Sequence, residues 1–282
     1  MLSFFRKRKK NPKAELEEIL GNYELPSFPS AVMSILTALR NPDFSMKEVA
    51  KQLEGDPGLH VKVLKTVNSA AFGLTTRVSN VHHAVTLLGR SRLETIVLSQ
   101  AVNSTLPKVE MPFFDMRQFW LISAQRASLA RVLANQLHPA TQVESFTTGL
   151  LLDMALPILV VVRPKEYKMI FERWNIDKSV DLSEIEKDVL GYDHSFAGAL
   201  IAENWDLPEY LIRAIYGHHS QDTDVEIEPA VELVSYLKGD DEDAMEKLVG
   251  ICVKKYSMNE ENVREMVAVA FHDAEQLSEI MR

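Results

Sequence analysis

The sequence has a single cysteine, Cys252, among its 282 residues. One thiol can form neither an internal disulfide bond nor a zinc site of the Cys-x-x-Cys type. This composition is typical of proteins in a reducing compartment, so we expect a cytoplasmic protein. Glycine and proline are also scarce: 11 glycines and 12 prolines make about 8% of the chain, against roughly 12% on average. Their scarcity argues against a turn-rich all-β fold and against a disordered chain.

Glycine-rich phosphate loops and long apolar runs are also missing. Neither the G-x-G-x-x-G nor the G-x-x-x-x-G-K-[ST] pattern occurs, so no phosphate-binding loop of these types is predicted. The longest apolar stretch, Leu150–Val162, has 13 residues and is interrupted by Asp153 and Pro157. A membrane-spanning helix needs about 20 residues, so we predict no transmembrane segment.

Excess positive charge is confined to the N-terminus. Residues 1–13 hold six cations and no acid, whereas residues 14–282 carry a net charge of −15. Proteins bind nucleic acid largely by neutralising its phosphates with positive charge, so residues 14–282 are expected to bind it poorly. We therefore expect no nucleic-acid partner. We interpret residues 1–13 as a flexible, solvated basic head. The alternative, contact between this head and an anionic membrane surface, would be weak.

Apolar residues recur with the period of an α-helix over almost the whole chain. One such face comprises Val32, Ile35, Leu36 and Leu39. No strand-like alternation persists, so the predicted fold class is all-α. The segment Pro107–Pro112 has a proline at each end and is the predicted linker. It separates two packed helical halves, residues 14–106 and residues 112–282.

Helix starts are indicated by capping boxes, in which Ser or Thr precedes Glu by three residues. The pattern occurs at Ser45–Glu48, Ser91–Glu94 and Ser183–Glu186. Further helices are predicted from Asp115 to about Leu137, from about Asp193 to Trp205, and from Pro208 to about His218. The stretch Leu150–Val162 is apolar on all sides and predicts one buried helix.

Asp153 interrupts that apolar helix, and a lone buried carboxylate costs several kcal/mol. It should therefore find a cation, a metal ion or several hydrogen-bond donors. His194, His218 and His219 lie on later helices that could pack against it, and would form a polar pocket or half a metal site. From spacing alone, a hydrogen-bonded structural Asp–His pair is the commoner arrangement. The remaining histidines need no special explanation: His60, His82, His83, His138 and His272.

The sequence resembles the HDOD domain family, a branch of the HD phosphohydrolase superfamily, from about Leu25 onward. The N-terminal half matches at Leu25–Pro29, Asp56–Lys65, Val67–Gly73 and Ala84–Gly89. The second half, which is HD-like, matches at Phe119–Trp120, Phe146–Asp153, Tyr192–Leu200, Trp205–Pro208 and Ile215–His219. The resemblance implies a helical bundle followed by an HD-like helical domain.

The resemblance also implies that three ligand positions are replaced. Active HD enzymes carry a histidine at the position of Ile122, a His-Asp pair at the position of Leu152-Asp153, and a late aspartate at the position of Ser235. Isoleucine and leucine cannot bind a hard divalent ion, which such enzymes use to activate water and clamp phosphate. We therefore expect no catalytic residue, no bound metal and no cofactor.

What remains is a pocket formed by Asp153, His194, His218 and His219. The resemblance then implies a non-catalytic bacterial signal-transduction module that acts through protein partners or as a homodimer. Family members often carry receiver or nucleotide-signalling domains, and this chain is expected to stand alone. The loop Asn68–Gly73 with Thr75–Arg77 is a candidate partner surface, although Asn68 and Gly73 are also typical of a simple turn.

Two other functions stay open. A divergent metal-dependent phosphohydrolase or phosphodiesterase could hold one Fe, Mn or Zn ion with the four residues of the pocket. Alternatively, the protein could sense a small phosphorylated ligand, with Arg90 and Arg92 beside a helix start where a phosphate could bind.

Overall fold

A computed structural model describes residues 11–177, 180–219, 225–238 and 241–282. Helices account for 75% of the described residues, which contain no strand beyond an isolated bridge between Met111 and Phe114. The predicted all-α class is therefore confirmed. Residues 1–10 of the predicted basic head lie outside the described residues. Its last residues begin the first helix, whose N-cap Asn11 accepts a hydrogen bond from the backbone N–H of Lys13.

In chain order the helices are α1 Pro12–Leu20, α2 Ser30–Arg40, α3 Met46–Glu54, α4 Pro57–Val67, α5 Val81–Thr105, α6 Met116–Leu137, α7 Gln142–Leu151, α8 Ala155–Val162, α9 Pro164–Ile176, α10 Leu182–Leu190, α11 His194–Asn204, α12 Glu209–Gly217, α13 Pro229–Ser235, α14 Glu242–Tyr256 and α15 Glu260–Met281. Helix α5 is bent at Gly89, whose φ of 72° lies outside the helical region.

The described residues group into two compact units, each built from separate segments. The first unit comprises residues 11–27, 106–116 and 152–227, and holds α1 and α8 to α12. The second unit comprises residues 28–105, 117–151 and 228–282, and holds α2 to α5, nearly all of α6, α7 and α13 to α15. The predicted halves 14–106 and 112–282 are continuous and coincide with neither unit, so that division stays a prediction.

Two of the three predicted capping boxes are wrong. The one at Ser45–Glu48 is confirmed, because each side chain bonds the backbone N–H of the other residue. Ser91 and Glu94 instead lie inside α5, and Glu94 pairs with Arg40 at 2.8 Å. Ser183 lies inside α10, whose N-cap is Asp181.

Arg90 has a structural role in the second unit. Its guanidinium donates hydrogen bonds to the carbonyl oxygens at the end of α2 and just beyond it. These acceptors belong to Ala38, Leu39, Asn41 and Phe44. The Arg90 guanidinium, which was considered above as a phosphate ligand, therefore already donates to four backbone carbonyl oxygens.

The candidate partner loop is held by its own first residue. The Asn68 side chain accepts from the Val78 N–H at 2.8 Å and donates to the Val78 carbonyl at 2.9 Å. Gly73 ends the loop at φ 73°, where a Cβ would lie 2.2 Å from the Arg131 guanidinium. Asn68 and Gly73 thus both contribute to the local structure of the loop, and the partner surface stays a prediction.

The apolar stretch before Arg163 departs from the prediction in two ways. It is two helices, because α7 ends at Leu151 and α8 begins at Ala155. It also belongs to a longer segment, Pro139–Val162, which is long and apolar enough to cross a membrane by length and composition and has a mean hydropathy of 1.9 in its most apolar 18-residue window. However, 83% of its most apolar window is buried inside the fold, as in a core helix.

Helix α11 is the centre of the first unit. Its residues from His194 to Ala202 are buried, and it packs against α1, α8, α10 and α12. Gly198 permits the close approach of α12, because a Cβ there would lie 2.9 Å from the Ile215 side chain. The start of α11 is fixed by Asp193, whose carboxylate accepts from the Phe196 N–H at 2.8 Å. This cap places His194 at the first, buried turn of the helix.

Candidate functional site

Four side chains of the first unit meet at one point. Asp153, His194, His218 and His219 each bring one potential ligand atom to a place where all four atoms lie within 4.8 Å of one another. We call these residues the His–Asp cluster. Asp153 lies in the turn before α8, His194 begins α11, and the paired histidines follow α12. The structure thus brings together every residue of the pocket expected from the sequence.

The distances within the cluster fit a single ion. The Nε2 atoms of His194 and His218 lie 3.4 and 3.2 Å from Asp153 Oδ1 and 3.3 Å from each other. His219 Nε2 lies 3.1 Å from His194 Nε2. Ligand atoms at about 2.0–2.1 Å from a tetrahedral ion are roughly 3.3–3.4 Å apart. Four of the six separations in the cluster are close to this value.

The other ring nitrogen of each histidine faces an acceptor. Nδ1 of His194 lies 2.6 Å from Glu186 Oε2, and Nδ1 of His218 lies 2.7 Å from the Ile215 carbonyl oxygen. Nδ1 of His219 lies 3.3 Å from Asp181 Oδ1. These acceptors favour the tautomer with the hydrogen on Nδ1, and in neutral rings of that form the Nε2 lone pairs point into the cluster. Metal-binding histidines have this hydrogen-bonding pattern.

The electrostatics of the cluster favour one positive charge. Burial alone would lower the pKa of His194, but Glu186 and Asp153 outweigh it and hold that pKa well above its ordinary value. Burial, together with His218 and His194, moves the pKa of His219 well below its ordinary value. A cation among the rings, whether a proton or a metal ion, removes the repulsion between the Nε2 lone pairs that otherwise face one another.

Glu186 is the site residue that sequence analysis missed. Its fully buried carboxylate accepts from the Tyr167 hydroxyl at 2.7 Å, from the His194 N–H at 2.8 Å, and from His194 Nδ1. The sequence pattern places it in a capping box with Ser183, which the structure contradicts. Helix α10 has an acid at every second position, Glu184, Glu186 and Asp188, and this spacing does not indicate which of the three is buried.

The three positions that the resemblance identifies as replaced lie in both units. Leu152 is fully buried beside Asp153 in the first unit. Ile122 is half-buried on α6, and Ser235 is buried at the end of α13 with its hydroxyl donating to the Glu232 carbonyl. Both belong to the second unit. None of the three supplies an imidazole or a carboxylate.

The residues present fit a divalent transition metal. Three imidazoles and one carboxylate are ligands typical of zinc, iron or manganese, whereas magnesium and calcium prefer oxygen ligands. His194 and His218 are 2% and 0% exposed at their side chains, while Asp153 and His219 are 13% and 12% exposed. The cluster is therefore closed on one side and reachable from solvent on the other.

The chain belongs to the HDOD domain family, which matches it over residues 25–221. An uncharacterized protein of Treponema pallidum (strain Nichols) is 26% identical over 200 residues, which cover 70% of this chain but only 38% of that protein. The chain thus matches well under half of this relative's length.

Solved structures share the fold. One, a "Putative phosphohydrolase" from Shewanella amazonensis SB2B, is 25% identical, with a TM-score of 0.74 and coverage of 96% of this chain and 98% of that one. Another, a "Putative signal transduction protein" from Marinobacter aquaeolei VT8, is 20% identical, with a TM-score of 0.67 and coverage of 96% and 65%. The second likeness concerns the fold alone.

Proposed function

We propose that the protein is a non-catalytic regulatory module of the HDOD family that keeps a site for one metal ion. It would act in signal transduction through a protein partner or a second copy of itself. One observation carries the proposal: the His–Asp cluster holds three hydrogen-bonded imidazoles and one carboxylate. This set suffices for one ion, and the proposal therefore departs from the sequence-based expectation of no bound metal. By the resemblance, Ile122, Leu152 and Ser235 stand where active HD enzymes have further ligands.

The chemistry of one ion differs from that of a hydrolytic pair. When bound, a divalent ion would supply a positive charge that attracts an anion or polarises a water molecule. Hydrolysis by two metals also needs a second ion to stabilise the leaving oxygen. Asp153 and His219 stand on the reachable side of the cluster. A small phosphorylated ligand is the class that such a site attracts, and its binding would be the signal passed to a partner.

Metal content tests the one-ion site. Untagged protein is purified without chelators, loaded with Zn²⁺, Mn²⁺ or Fe²⁺ (the last without oxygen), desalted, and analysed by mass spectrometry. We expect close to one ion per chain. His218→Ala should lose it, and His272→Ala, a histidine outside the cluster, should keep it. Less than about a tenth of an ion per chain after loading would overturn the site, because bound metal is stoichiometric.

Turnover tests the absence of catalysis. The loaded protein is mixed with bis(p-nitrophenyl) phosphate, a general phosphodiester substrate. We expect no hydrolysis above that of the His218→Ala variant. Hydrolysis that follows ion content and disappears in His218→Ala, or a content of two ions per chain, would overturn the non-catalytic proposal.

The second candidate is a divergent metal-dependent phosphohydrolase. It is favoured by the partial solvent exposure of Asp153 and His219, and by the name of the Shewanella relative. Ion-dependent hydrolysis in the assay above would establish this candidate in place of the first.

A further inference from the structure

We propose that Glu186 is the positioning residue of the ion site, and that it sets ion affinity by fixing the His194 ring. This inference rests on the one-ion site proposed above. Glu186 is not itself one of the cluster's ligands, because His194 stands between them: Nδ1 of the ring contacts Glu186, and Nε2 contacts the other cluster residues.

His194 is the central member of the cluster. Its Nε2 lies 3.1 Å from His219 Nε2, 3.3 Å from His218 Nε2 and 3.4 Å from Asp153 Oδ1. All three other ligand atoms are therefore its close neighbours. A small rotation of this ring would change the distances to every other ligand, so whatever holds the ring controls the geometry of the whole site.

Glu186 holds that ring at two points. Oε2 accepts from the backbone N–H of His194 and also from Nδ1 of the same residue. Oε1 accepts from the Tyr167 hydroxyl, so the carboxylate cannot turn away. The turn between α10 and α11, which passes through Gly191 at φ 80°, brings Glu186 to the first turn of α11.

The bond to Glu186 also selects the metal-binding form of the ring. A carboxylate that accepts from Nδ1–H leaves the Nε2 lone pair free for an ion and makes that nitrogen a better ligand. The bond of His194 is the shortest of the three at Nδ1, 2.6 Å, and its acceptor is completely buried. Loss of such supporting groups typically weakens metal binding about 10–100-fold.

The test compares Zn²⁺ affinities, measured by competition with a chromophoric chelator. Glu186→Ala removes both bonds to His194, whereas Glu186→Gln keeps the size of the side chain and can keep both bonds as a neutral acceptor. The control is Asp188→Asn, because Asp188 is an exposed acid on the same helix that pairs with Arg173. We expect Glu186→Ala to bind Zn²⁺ about 10–100-fold more weakly than the wild type, Glu186→Gln to lie between the two, and Asp188→Asn to stay within about twofold of the wild type.

A second readout separates positioning from mere support of the fold. Visible absorption of the Co²⁺-loaded protein reports the coordination of the ion, and we expect Glu186→Ala to change this spectrum while the metal-free protein still unfolds cooperatively. Unchanged Zn²⁺ affinity and an unchanged Co²⁺ spectrum in Glu186→Ala would overturn the inference. Failure of the wild type to bind Zn²⁺ would instead overturn the ion site itself.

A further variant covers the case in which Glu186→Ala does not fold. Tyr167→Phe removes only the bond that keeps the carboxylate from turning. Its Zn²⁺ affinity should fall between those of Glu186→Ala and Asp188→Asn. If Tyr167→Phe matches Asp188→Asn, the proposed role of the Tyr167–Glu186–His194 chain is wrong.

Discussion

Removing the Glu186 carboxylate should be among the most destabilising single changes in the first unit. It leaves three buried donors without their acceptor: the Tyr167 hydroxyl, the His194 N–H and the His194 Nδ1–H. An unsatisfied buried donor costs about 1–3 kcal/mol, and a water molecule entering the vacated volume would recover part of this. We therefore expect Glu186→Ala to lower the free energy of unfolding by about 3–5 kcal/mol.

Glu186→Gln should cost much less, for a geometric reason. The glutamine oxygen can face His194 and keep both of its bonds, while the amide NH₂ faces Tyr167, whose hydroxyl can turn to accept. Only the extra strength of a charged acceptor is lost. This corresponds to about 1–2 kcal/mol, the difference between charged and neutral hydrogen bonds.

A double-mutant cycle tests this account. Tyr167→Phe alone removes the hydroxyl–carboxylate hydrogen bond, and Glu186→Gln alone weakens the same bond, so the double variant should be more stable than additivity predicts by about 1 kcal/mol. Free energies of unfolding are measured by urea titration with a chelator present, followed by far-ultraviolet circular dichroism. A cost below about 1 kcal/mol for Glu186→Ala, or strict additivity in the cycle, would refute the reasoning.

Three further predictions concern other parts of the chain. Arg90→Ala should cost about 2–4 kcal/mol in urea unfolding, because four carbonyl oxygens lose a charged donor, and a loss under about 1 kcal/mol would contradict this. Ser45→Ala should cost about 1 kcal/mol and Ser91→Ala under about 0.5, since only Ser45 is an N-cap; equal costs would show that the cap contributes nothing. Cys252 should react with Ellman's reagent only on unfolding, because burial raises the pKa of its thiol to about 11, and rapid labelling of the native protein would be the contrary result.

The sequence predicted helices well where their ends are marked locally. The expected helices ending near Leu137 and His218, and the one starting near Asp193, correspond to α6, α12 and α11. Their ends are set by caps and prolines that act within a few residues. The break before α8 was not predicted, because an apolar run has the same hydropathy whether it forms one helix or two.

The site was predictable in part for a similar reason. Asp153 attracts attention because an acid in an apolar run must find partners, and those partners are the three expected histidines. Glu186 gave no such signal, since it shares a strongly acidic helix with Glu184 and Asp188. Its burial depends on how α10 packs against α9 and α11, which is a tertiary contact and not a local pattern.

Charge balance links the buried residues to the proposed number of ions. Three carboxylates of the first unit face the histidine rings: Glu186, Asp153 and Asp181, at side-chain exposures of 0%, 13% and 32%. Asp193 is paired with Lys187 at 2.7 Å. A proton on His194 would balance only one of the charges of the two least exposed carboxylates, Glu186 and Asp153, whereas one divalent ion would balance both. By the resemblance, Ser235 stands where active HD enzymes have a late aspartate, so that position offers no carboxylate to a second ion. The buried charges therefore support the proposal of one ion.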